Sequence, residues 1–353
     1  MKTPQKMSVS RRATPWDDLD VDHLTPLQGY LRTVYHRSYD DHHKSLAEMN
    51  DAELFNTYTP ESCPYCGGQK FIRYGKYSTG LTRYQCKRCG KSFSVTTGTI
   101  FEDHKLSIGE WMQYLLNLFD FVSLNSDSKN NRNAFTTSRY WLEKVFMVLD
   151  GSQDNILLSG KVWLDETYYS VRKEDIVHNE DGTLLRGLSK NQLCIGVAKD
   201  KRRIYCIYEG NGKPSSNDTL NSFQDHIAAK STIIHDSDGS HDALISKLSL
   251  KAETYRSEDL KKLEDINNPL DPINKIHNLL KIFLDSHSGF LRDHISGYLN
   301  LFVFIMNPPS NKLKKVELFL DMAVRKKVRL RYRDFFRTSR MPEIFYEEDD
   351  SEG

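Results

Sequence analysis

The segment KVWLDETYYSV, residues 161–171, decides the fold that the sequence predicts. It is rich in β-branched and aromatic residues and is bounded by polar ones, a pattern that favours a strand. Two similar segments follow, NQLCIGVAKD at 191–200 and RRIYCIYEG at 202–210, and their short polar connection predicts a hairpin. A fourth apolar segment, STIIHD at 231–236, predicts another short strand.

Helical and strand patterns alternate in the rest of this region. The expected elements are helices at Thr219–Ala229, His241–Leu248, Asp271–Leu284 and Ile295–Met306, and a strand at Ala252–Tyr255. Three early strands followed by alternating helices and strands predict an α/β domain with a mixed sheet.

Two aspartates lie in these predicted strands. Asp165 lies within the first strand and Asp236 ends the fourth. A carboxylate among apolar residues is costly unless it is compensated, and two in one domain suggest a shared cation. Each aspartate alone is more often an ordinary strand-end or turn residue.

The helix predicted at 271–284 carries two polar residues that suit the same site. Asn274 and Lys281 are seven residues apart and therefore lie within about 20° of the same helix face. The amide oxygen of Asn274 could complete a metal shell, and Lys281 could reach a DNA phosphate. The plainer alternative is a solvated helix face.

Four cysteines form a second constellation. Cys63 and Cys66 in CPYCGG, and Cys86 and Cys89 in CKRCGK, are two Cys-x-x-Cys pairs separated by nineteen residues. Each pair is followed by a glycine that tolerates the positive φ of a tight turn, and four thiolates complete a closed tetrahedral shell. The spacing predicts one structural Zn²⁺. A redox pair or two disulfides are the alternatives, and two matched pairs at ribbon spacing in an intracellular chain disfavour both.

Basic residues surround these cysteines, although the net charge of the whole chain is only +1. Blocks of this kind are electrostatic footprints for nucleic acid, and interleaved aromatics either contact DNA or pack the small module. The predicted DNA-binding residues are Lys70, Arg73, Lys76, Arg83, Lys87, Arg88 and Lys91, with Arg325, Lys326, Lys327 and Arg329 from a second block at 325–340. The second block is expected on a C-terminal helix that precedes an acidic tail.

Between the cysteine module and the first strand, the pattern turns helical. Apolar residues recur at three- and four-residue steps from Ser107 to Asp150, with the polar break NSDSKNNRN between two predicted helices. This pair is a candidate helix-turn-helix or an ordinary helix pair.

No segment of the sequence indicates a membrane or a secretory signal. The longest apolar stretch, Trp111 to Leu124, is interrupted by polar residues and is shorter than the roughly 20 residues needed to cross a bilayer. The basic N-terminus lacks an apolar core. We therefore expect a cytoplasmic protein, associated with the nucleoid when it binds DNA.

On these motifs the sequence resembles the ISXO-like insertion-sequence transposases, which carry an N-terminal zinc ribbon and an RNase H-like DDE-type domain. The resemblance covers residues 60 to 310. It is carried by CPYCGG…CKRCGKSFSVTTGTIF, VWLDETYY, IIHDSDGSH and INKIHNLLKIFLDSHSGF…YLNLFVFIMN.

The resemblance implies metal-dependent DNA strand cleavage and strand transfer at terminal inverted repeats. Asp165 and Asp236 match the family's first two catalytic aspartates, and Asn274 and Lys281 occupy the positions of its Glu and Lys, giving an Asp-Asp-Asn-Lys variant. Asn brings no charge and is a weaker Mg²⁺ ligand than Glu. Glu166, His277 and Asp238 are alternative candidates, although Glu166 is expected on the opposite face of its strand.

The resemblance also implies the cofactors and partners. Two Mg²⁺ or Mn²⁺ ions would be held by Asp165 and Asp236 with Asn274 assisting. The partners would be double-stranded DNA, as element ends and target, and further copies of the chain assembled on DNA, with no membrane and no small-molecule substrate. A transposase-derived DNA-binding protein without activity and a stand-alone nuclease are the alternatives.

These inferences divide the chain into five segments. They are a polar arm at 1–60, the zinc ribbon at 61–101, a helical DNA-binding segment at 102–150, the catalytic domain at 158–310, and a basic helix with an acidic tail at 311–353.

Overall fold

The computed structural model describes Thr25 and residues 50–103, 107–131, 133–260 and 267–338. The chain divides into two compact units, and each is built from separate stretches. The first unit comprises residues 1–111, 128–144 and 320–353, and the second comprises residues 112–127 and 145–319. The helical segment predicted at 102–150 is thus shared between them, while most of the arm and the acidic tail lie outside the described residues.

The helices and strands are numbered here in chain order. The helices are α1 Asp51–Asn56, α2 Ile108–Phe119, α3 Leu124–Asn130, α4 Phe135–Leu149, α5 Ser216–Phe223, α6 Asp242–Leu248, α7 Ser257–Leu260, α8 Asp271–Ser286, α9 Ile295–Met306, α10 Lys312–Arg325 and α11 Tyr332–Thr338. The strands are β1 Phe71–Lys76, β2 Thr82–Cys86, β3 Ser92–Phe93, β4 Lys161–Ser170, β5 Gln192–Lys199, β6 Ile204–Asn211, β7 Thr232–Asp236 and β8 Lys251–Tyr255.

The first unit contains a three-stranded antiparallel sheet in the order β1-β2-β3. Phe71, Tyr84 and Phe93 pack together with ring centroids 5.5–5.8 Å apart. These three rings supply much of the small apolar core, which is too small to stabilise the sheet without a further cross-link. Phe71 and Tyr84, two of the aromatics interleaved with the basic residues, therefore pack the module.

The second unit contains a five-stranded sheet in the order β6-β5-β4-β7-β8. Strands β4, β5 and β6 are antiparallel, whereas β7 and β8 run parallel to β4. This is the strand order of an RNase H-like sheet. The predicted fold class is confirmed: a mixed α/β sheet preceded by a four-cysteine cluster and helical segments.

The two faces of this sheet differ in what covers them. On one face α8 runs along β4: Trp163 Nε1 donates to Pro269 O at 2.9 Å near the start of the helix, and Tyr169 Oη donates to Asp285 Oδ1 at 3.0 Å near its end. We call this the α8 face. The opposite face, which we call the back face, packs against α5 and the segment that leads into α6.

Two element predictions need correction. The polar break NSDSKNNRN contains helix α3, because Asn117 donates to buried Asp127 at 2.8 Å and satisfies its carboxylate. The helix expected at Thr219–Ala229 begins at Ser216 and ends at Phe223. Its start is set by Ser215, whose side chain accepts from Asp218 N in a capping box.

The basic block expected on one C-terminal helix is divided, because its residues Tyr332–Thr338 lie in α11. Helix α10 ends at Arg325, where the basic block begins, and residues 326–331 are not helical. Within the described ranges, every helix is too short or too polar to cross a bilayer.

Candidate functional site

Asp165 and Asp236 lie at the same level of two neighbouring parallel strands. Lys161 pairs with Thr232 and Trp163 pairs with Ile234, and this register, continued by two residues, sets Asp165 beside Asp236. Residues at one level of neighbouring parallel strands point to the same face, and Asp165 faces α8, where it lies beside His277. The juxtaposition of the two aspartates thus follows from the strand register.

The two carboxylates are electrostatically coupled. Burial, together with the negative charges of Asp236 and Glu166, raises the pKa of Asp165 to about 7. One Asp165 oxygen accepts from the Glu166 amide at 3.0 Å, and one Asp236 oxygen accepts from the Asp238 amide at 2.9 Å. The cluster is short of positive charge, and a divalent cation would remove the repulsion between its carboxylates.

Three contacts set the position of α8 along β4. The contacts of Pro269 and Asp285 lie near its two ends, and between them His277 Nδ1 lies 3.9 Å from Asp165 Oδ2. Asn274 is one turn before His277 and Lys281 is one turn after it.

The two predicted residues of α8 are available to a ligand. Asn274 is half-buried, and its side-chain amide makes no hydrogen bond to a described residue. Lys281 is exposed. The burial of His277, and second the positive charge of Lys281, lower the pKa of His277 to about 4. His277 is therefore neutral at pH 7, and its buried Nε2 has no partner among the described residues.

The back face carries a second cluster of polar groups. Glu166 points away from Asp165, as the alternation of the strand predicts, and its Oε1 accepts from His241 Nε2 at 3.0 Å. The two Nδ1 atoms of His241 and His235 are 2.9 Å apart, and His235 Nε2 is 3.1 Å from Thr254 Oγ1.

The charges on this cluster are distributed unevenly. Burial alone would lower the pKa of His241, but the hydrogen bond and charge of Glu166 raise it. Burial and the charge of His241 lower the pKa of His235 to about 4. Neither histidine was predicted from the sequence, although His235 inside an apolar strand was a visible signal.

The third alternative, Asp238, is engaged elsewhere. Its carboxylate pairs with Lys213 at 2.8 Å and accepts from the Ser240 amide at 3.0 Å. These contacts shape the loop after β7.

The four predicted cysteines converge in the first unit. All four Sγ atoms lie within 4.8 Å of one another, and the closest pairs are Cys63–Cys89 at 3.7 Å and Cys66–Cys86 at 3.6 Å. Four thiolates at 2.3 Å from a tetrahedral Zn²⁺ would be about 3.8 Å apart. The cluster therefore fits a zinc ion.

The turns that present these thiolates agree with the sequence. Gly67 has a φ of 70° and Gly90 a φ of 71°, which are left-handed values that glycine tolerates. The Arg88 amide donates to Cys86 Sγ at 3.3 Å. The other two cysteines, Cys194 and Cys206, are buried in the large sheet, as expected.

The basic residues of the ribbon are largely exposed. None of them pairs with a carboxylate of the described chain, and the exposed ones are Lys70, Arg73, Lys76, Lys87, Arg88 and Lys91. Arg83 instead lies over the rings of Tyr74 at 4.7 Å and Tyr77 at 5.8 Å. A free set of cations beside aromatic rings can contact a phosphate backbone.

The second basic set is used within its own unit. Arg325 pairs with Asp321 and Glu61, and Arg329 pairs with Glu102 and Asp103. Lys327 is exposed, and its amine donates to the main-chain oxygens of Val95 and Val324. These ion pairs connect parts of the first unit. They neutralise the charges of Arg325 and Arg329, which the sequence had predicted to contact DNA.

Comparison with known proteins gives a partial match. No family model matches the chain. An uncharacterized protein in transposable element ISH50 of Halobacterium salinarum is 28% identical over 151 residues, which is 39% of this chain and 49% of that protein. The chain therefore spans about half the length of this relative.

Solved structures give distant likenesses. A chain of the simian T-cell lymphotropic virus intasome in complex with PP2A regulatory subunit B56 gamma is 11% identical, with a TM-score of 0.28 over 54% of this chain and 65% of that chain. A chain of the Drosophila P element transposase strand transfer complex is 10% identical, with a TM-score of 0.24 over 60% and 63%. The predicted resemblance is confirmed to this extent: part of the chain is similar to a protein of a transposable element.

Proposed function

We propose that this protein is an insertion-sequence transposase that cleaves DNA at the ends of its element and joins those ends to target DNA. The observation that carries the proposal is the pair of carboxylates, Asp165 and Asp236, at one level of neighbouring parallel strands. The similarity to a protein of a transposable element supports the same class of reaction.

The donor set suits a hard divalent cation, because carboxylate and amide oxygens are the ligands of Mg²⁺ and Mn²⁺. Asp165 and Asp236 would hold the ions, and Asn274 would add an amide oxygen. Bound ions would activate water or a 3′-hydroxyl and stabilise the leaving oxygen at phosphorus. The exposed amine of Lys281, one turn beyond His277, would bind a phosphate near the scissile bond.

The ribbon supplies the DNA contacts in this proposal. Its exposed cations would hold element ends by the phosphate backbone, and copies of the chain would assemble on that DNA. Zn²⁺ at the four cysteines would have a structural role, because four thiolates leave no open coordination position.

The test is a cleavage and joining assay on duplex DNA that carries the sequences flanking the gene. We expect the wild type to cut and join strands with Mg²⁺ or Mn²⁺, and Asp165→Asn or Asp236→Asn to lose at least about 100-fold in rate while still binding DNA. Cutting without joining would favour the stand-alone nuclease. DNA binding without any cutting would favour the inactive DNA-binding protein.

The contribution of α8 needs a separate comparison. His277 contacts Asp165 and Asn274 faces no described partner, so either could complete the metal shell. We expect Asn274→Ala to lower cleavage more in Mg²⁺ than in Mn²⁺, since the larger Mn²⁺ ion depends less on an additional oxygen. If only His277→Ala lowers cleavage, the ring nitrogen rather than the amide is the third ligand.

A further inference from the structure

The hydrogen-bonded chain on the back face joins residues that are sequence neighbours of the proposed metal ligands. Glu166 follows Asp165, and His235 precedes Asp236. His241 lies between them in space: its Nε2 contacts Glu166 and its Nδ1 contacts His235, at 3.0 and 2.9 Å. We call Glu166, His241, His235 and Thr254 the back-face clamp.

The clamp is buried and internally satisfied. The side chain of His241 is 0% exposed and that of Glu166 is 6% exposed. Each of the four ring nitrogens has a partner, because His235 Nε2 reaches Thr254 Oγ1 on β8. A fully satisfied buried network holds one geometry more strictly than apolar packing does.

The clamp crosses the part of the sheet where the hydrogen-bonded ladder stops. The backbone pairing of β4 with β7 ends at Trp163 and Ile234, before the level of the two aspartates. From there on, backbone pairing no longer fixes the distance between the strands. Glu166 and His241 bridge this gap, since His241 belongs to the 3₁₀ turn that follows Asp236.

We propose that the back-face clamp is a positioning device that sets the separation of Asp165 and Asp236 for a divalent cation. Glu166 and His241 act through their neighbours and do not touch the ion. Partners behind a ligand commonly change metal affinity by about 10- to 100-fold when they are removed. This inference rests on the proposed function, since it assumes that the two aspartates hold the ion.

The geometry also argues against the histidines as ligands themselves. His235, Asp236 and His241 offer atoms within 4.8 Å of one another. Yet all four histidine nitrogens are already hydrogen-bonded, and the 2.9 Å between the Nδ1 atoms is an ordinary hydrogen-bond length.

The experiment measures Mn²⁺ affinity of the zinc-loaded full chain by electron paramagnetic resonance, which needs no DNA and no activity. Two substitutions of His241 test its contact with Glu166 separately from its contact with His235. His241→Gln places an amide near the position of Nε2 and keeps the link to Glu166, whereas His241→Asn keeps only the position of Nδ1. We expect about a 10-fold or greater loss of Mn²⁺ affinity for His241→Asn and for Glu166→Ala, and recovery of most of it for His241→Gln.

The control is His226→Gln, which alters another histidine hydrogen bond of the same unit, the contact of Nδ1 with Ile156 O at 2.9 Å. It should leave Mn²⁺ affinity unchanged even if it lowers the melting temperature. A His241→Asn protein with wild-type affinity would overturn the clamp. So would an equal loss in His241→Gln and His241→Asn, because it would make His241 a ligand or a packing residue.

A failure of the proposed function would look different. In that case Asp165→Asn would itself retain Mn²⁺ affinity. If Asp165→Asn loses the ion while His241→Asn keeps it, only the clamp is wrong.

Discussion

At the scale of single residues, Glu209 is a carboxylate that the fold buries at a cost. Cys194 of β5 pairs with Gly210 of β6, and the next residue, Ile195, pairs with Tyr208. Glu209 is therefore an extra residue on β6 that has no partner on β5. Its carboxylate lies over Gly196, where a Cβ would be only 2.5 Å from Glu209 Oε2. Burial and then the charge of Glu166 raise the pKa of Glu209 to about 7.

This shift makes a prediction about stability and pH. Because the folded pKa exceeds the unfolded one, the wild type loses stability as the pH rises from about 4.5 to about 7. Glu209→Gln cannot ionise, so its stability relative to the wild type should improve by on the order of 2 kcal/mol between pH 5 and pH 8. Urea unfolding of both proteins at the two pH values measures this, with exposed Glu180→Gln as the control. A relative stability that does not change with pH would contradict the burial of an ionisable Glu209.

Residues differed in how well the sequence predicted them. Asp165 and Asp236 stood out because a carboxylate in an apolar strand is costly. The apolar neighbours that make it costly are adjacent in the sequence. Glu209 was hidden because its burial depends on a bulge and on the missing side chain of Gly196 across the strand. His241 was hidden for a similar reason, since its partner Glu166 lies 75 residues away.

At the scale of elements, the ribbon depends on its cysteines. Three short strands with one small aromatic cluster bury too little surface to fold alone, so metal binding should supply the folding free energy. We expect about one Zn²⁺ per chain, and Cys86→Ser should lose it together with the backbone order of residues 61–101. Elemental analysis of the purified chain measures the zinc. Cys194→Ser, a buried cysteine of the large sheet, should keep it, and zinc retained by Cys86→Ser would refute the four-cysteine site.

Regular elements were predicted where their pattern is local. Helix α9 matches its predicted bounds, and α8 extends its predicted end by two residues. Helix α3 was missed because it depends on a hydrogen bond between residues ten positions apart, from Asn117 to buried Asp127. A local polarity pattern does not show such a contact. The ion pairs of the second basic block were hidden for the same reason, because Arg325 and Arg329 find acidic partners far away in the sequence.

At the scale of the whole molecule, the near-zero net charge conceals two basic sets with different uses. The ribbon cations have no carboxylate partners among the described residues, whereas Arg325 and Arg329 near the C-terminus are paired with carboxylates. The combined substitution of Lys70, Arg73 and Lys76 by Ala should therefore reduce the slope of log K against log salt for duplex DNA by roughly 2 to 3.

The matched substitution is Arg329→Ala, which removes pairs with Glu102 and Asp103. It should lower the melting temperature and leave the salt slope unchanged. Fluorescence anisotropy across a salt series gives both slopes. The opposite result, a slope that depends on Arg329 and not on the ribbon, would move the DNA contact to the C-terminal residues.

The most direct test of the central claim, that Asp165 and Asp236 hold the catalytic cation, is a change of metal preference. Asp236→Cys replaces a hard oxygen ligand by a thiolate, which Mn²⁺ accepts more readily than Mg²⁺ does. Strand cleavage by this variant should fall at least about 100-fold in Mg²⁺ and recover by at least about 10-fold when Mn²⁺ is supplied, whereas wild-type rates should differ little between the ions. Cleavage by Asp236→Cys at the wild-type rate in Mg²⁺ would show that this carboxylate holds no catalytic metal.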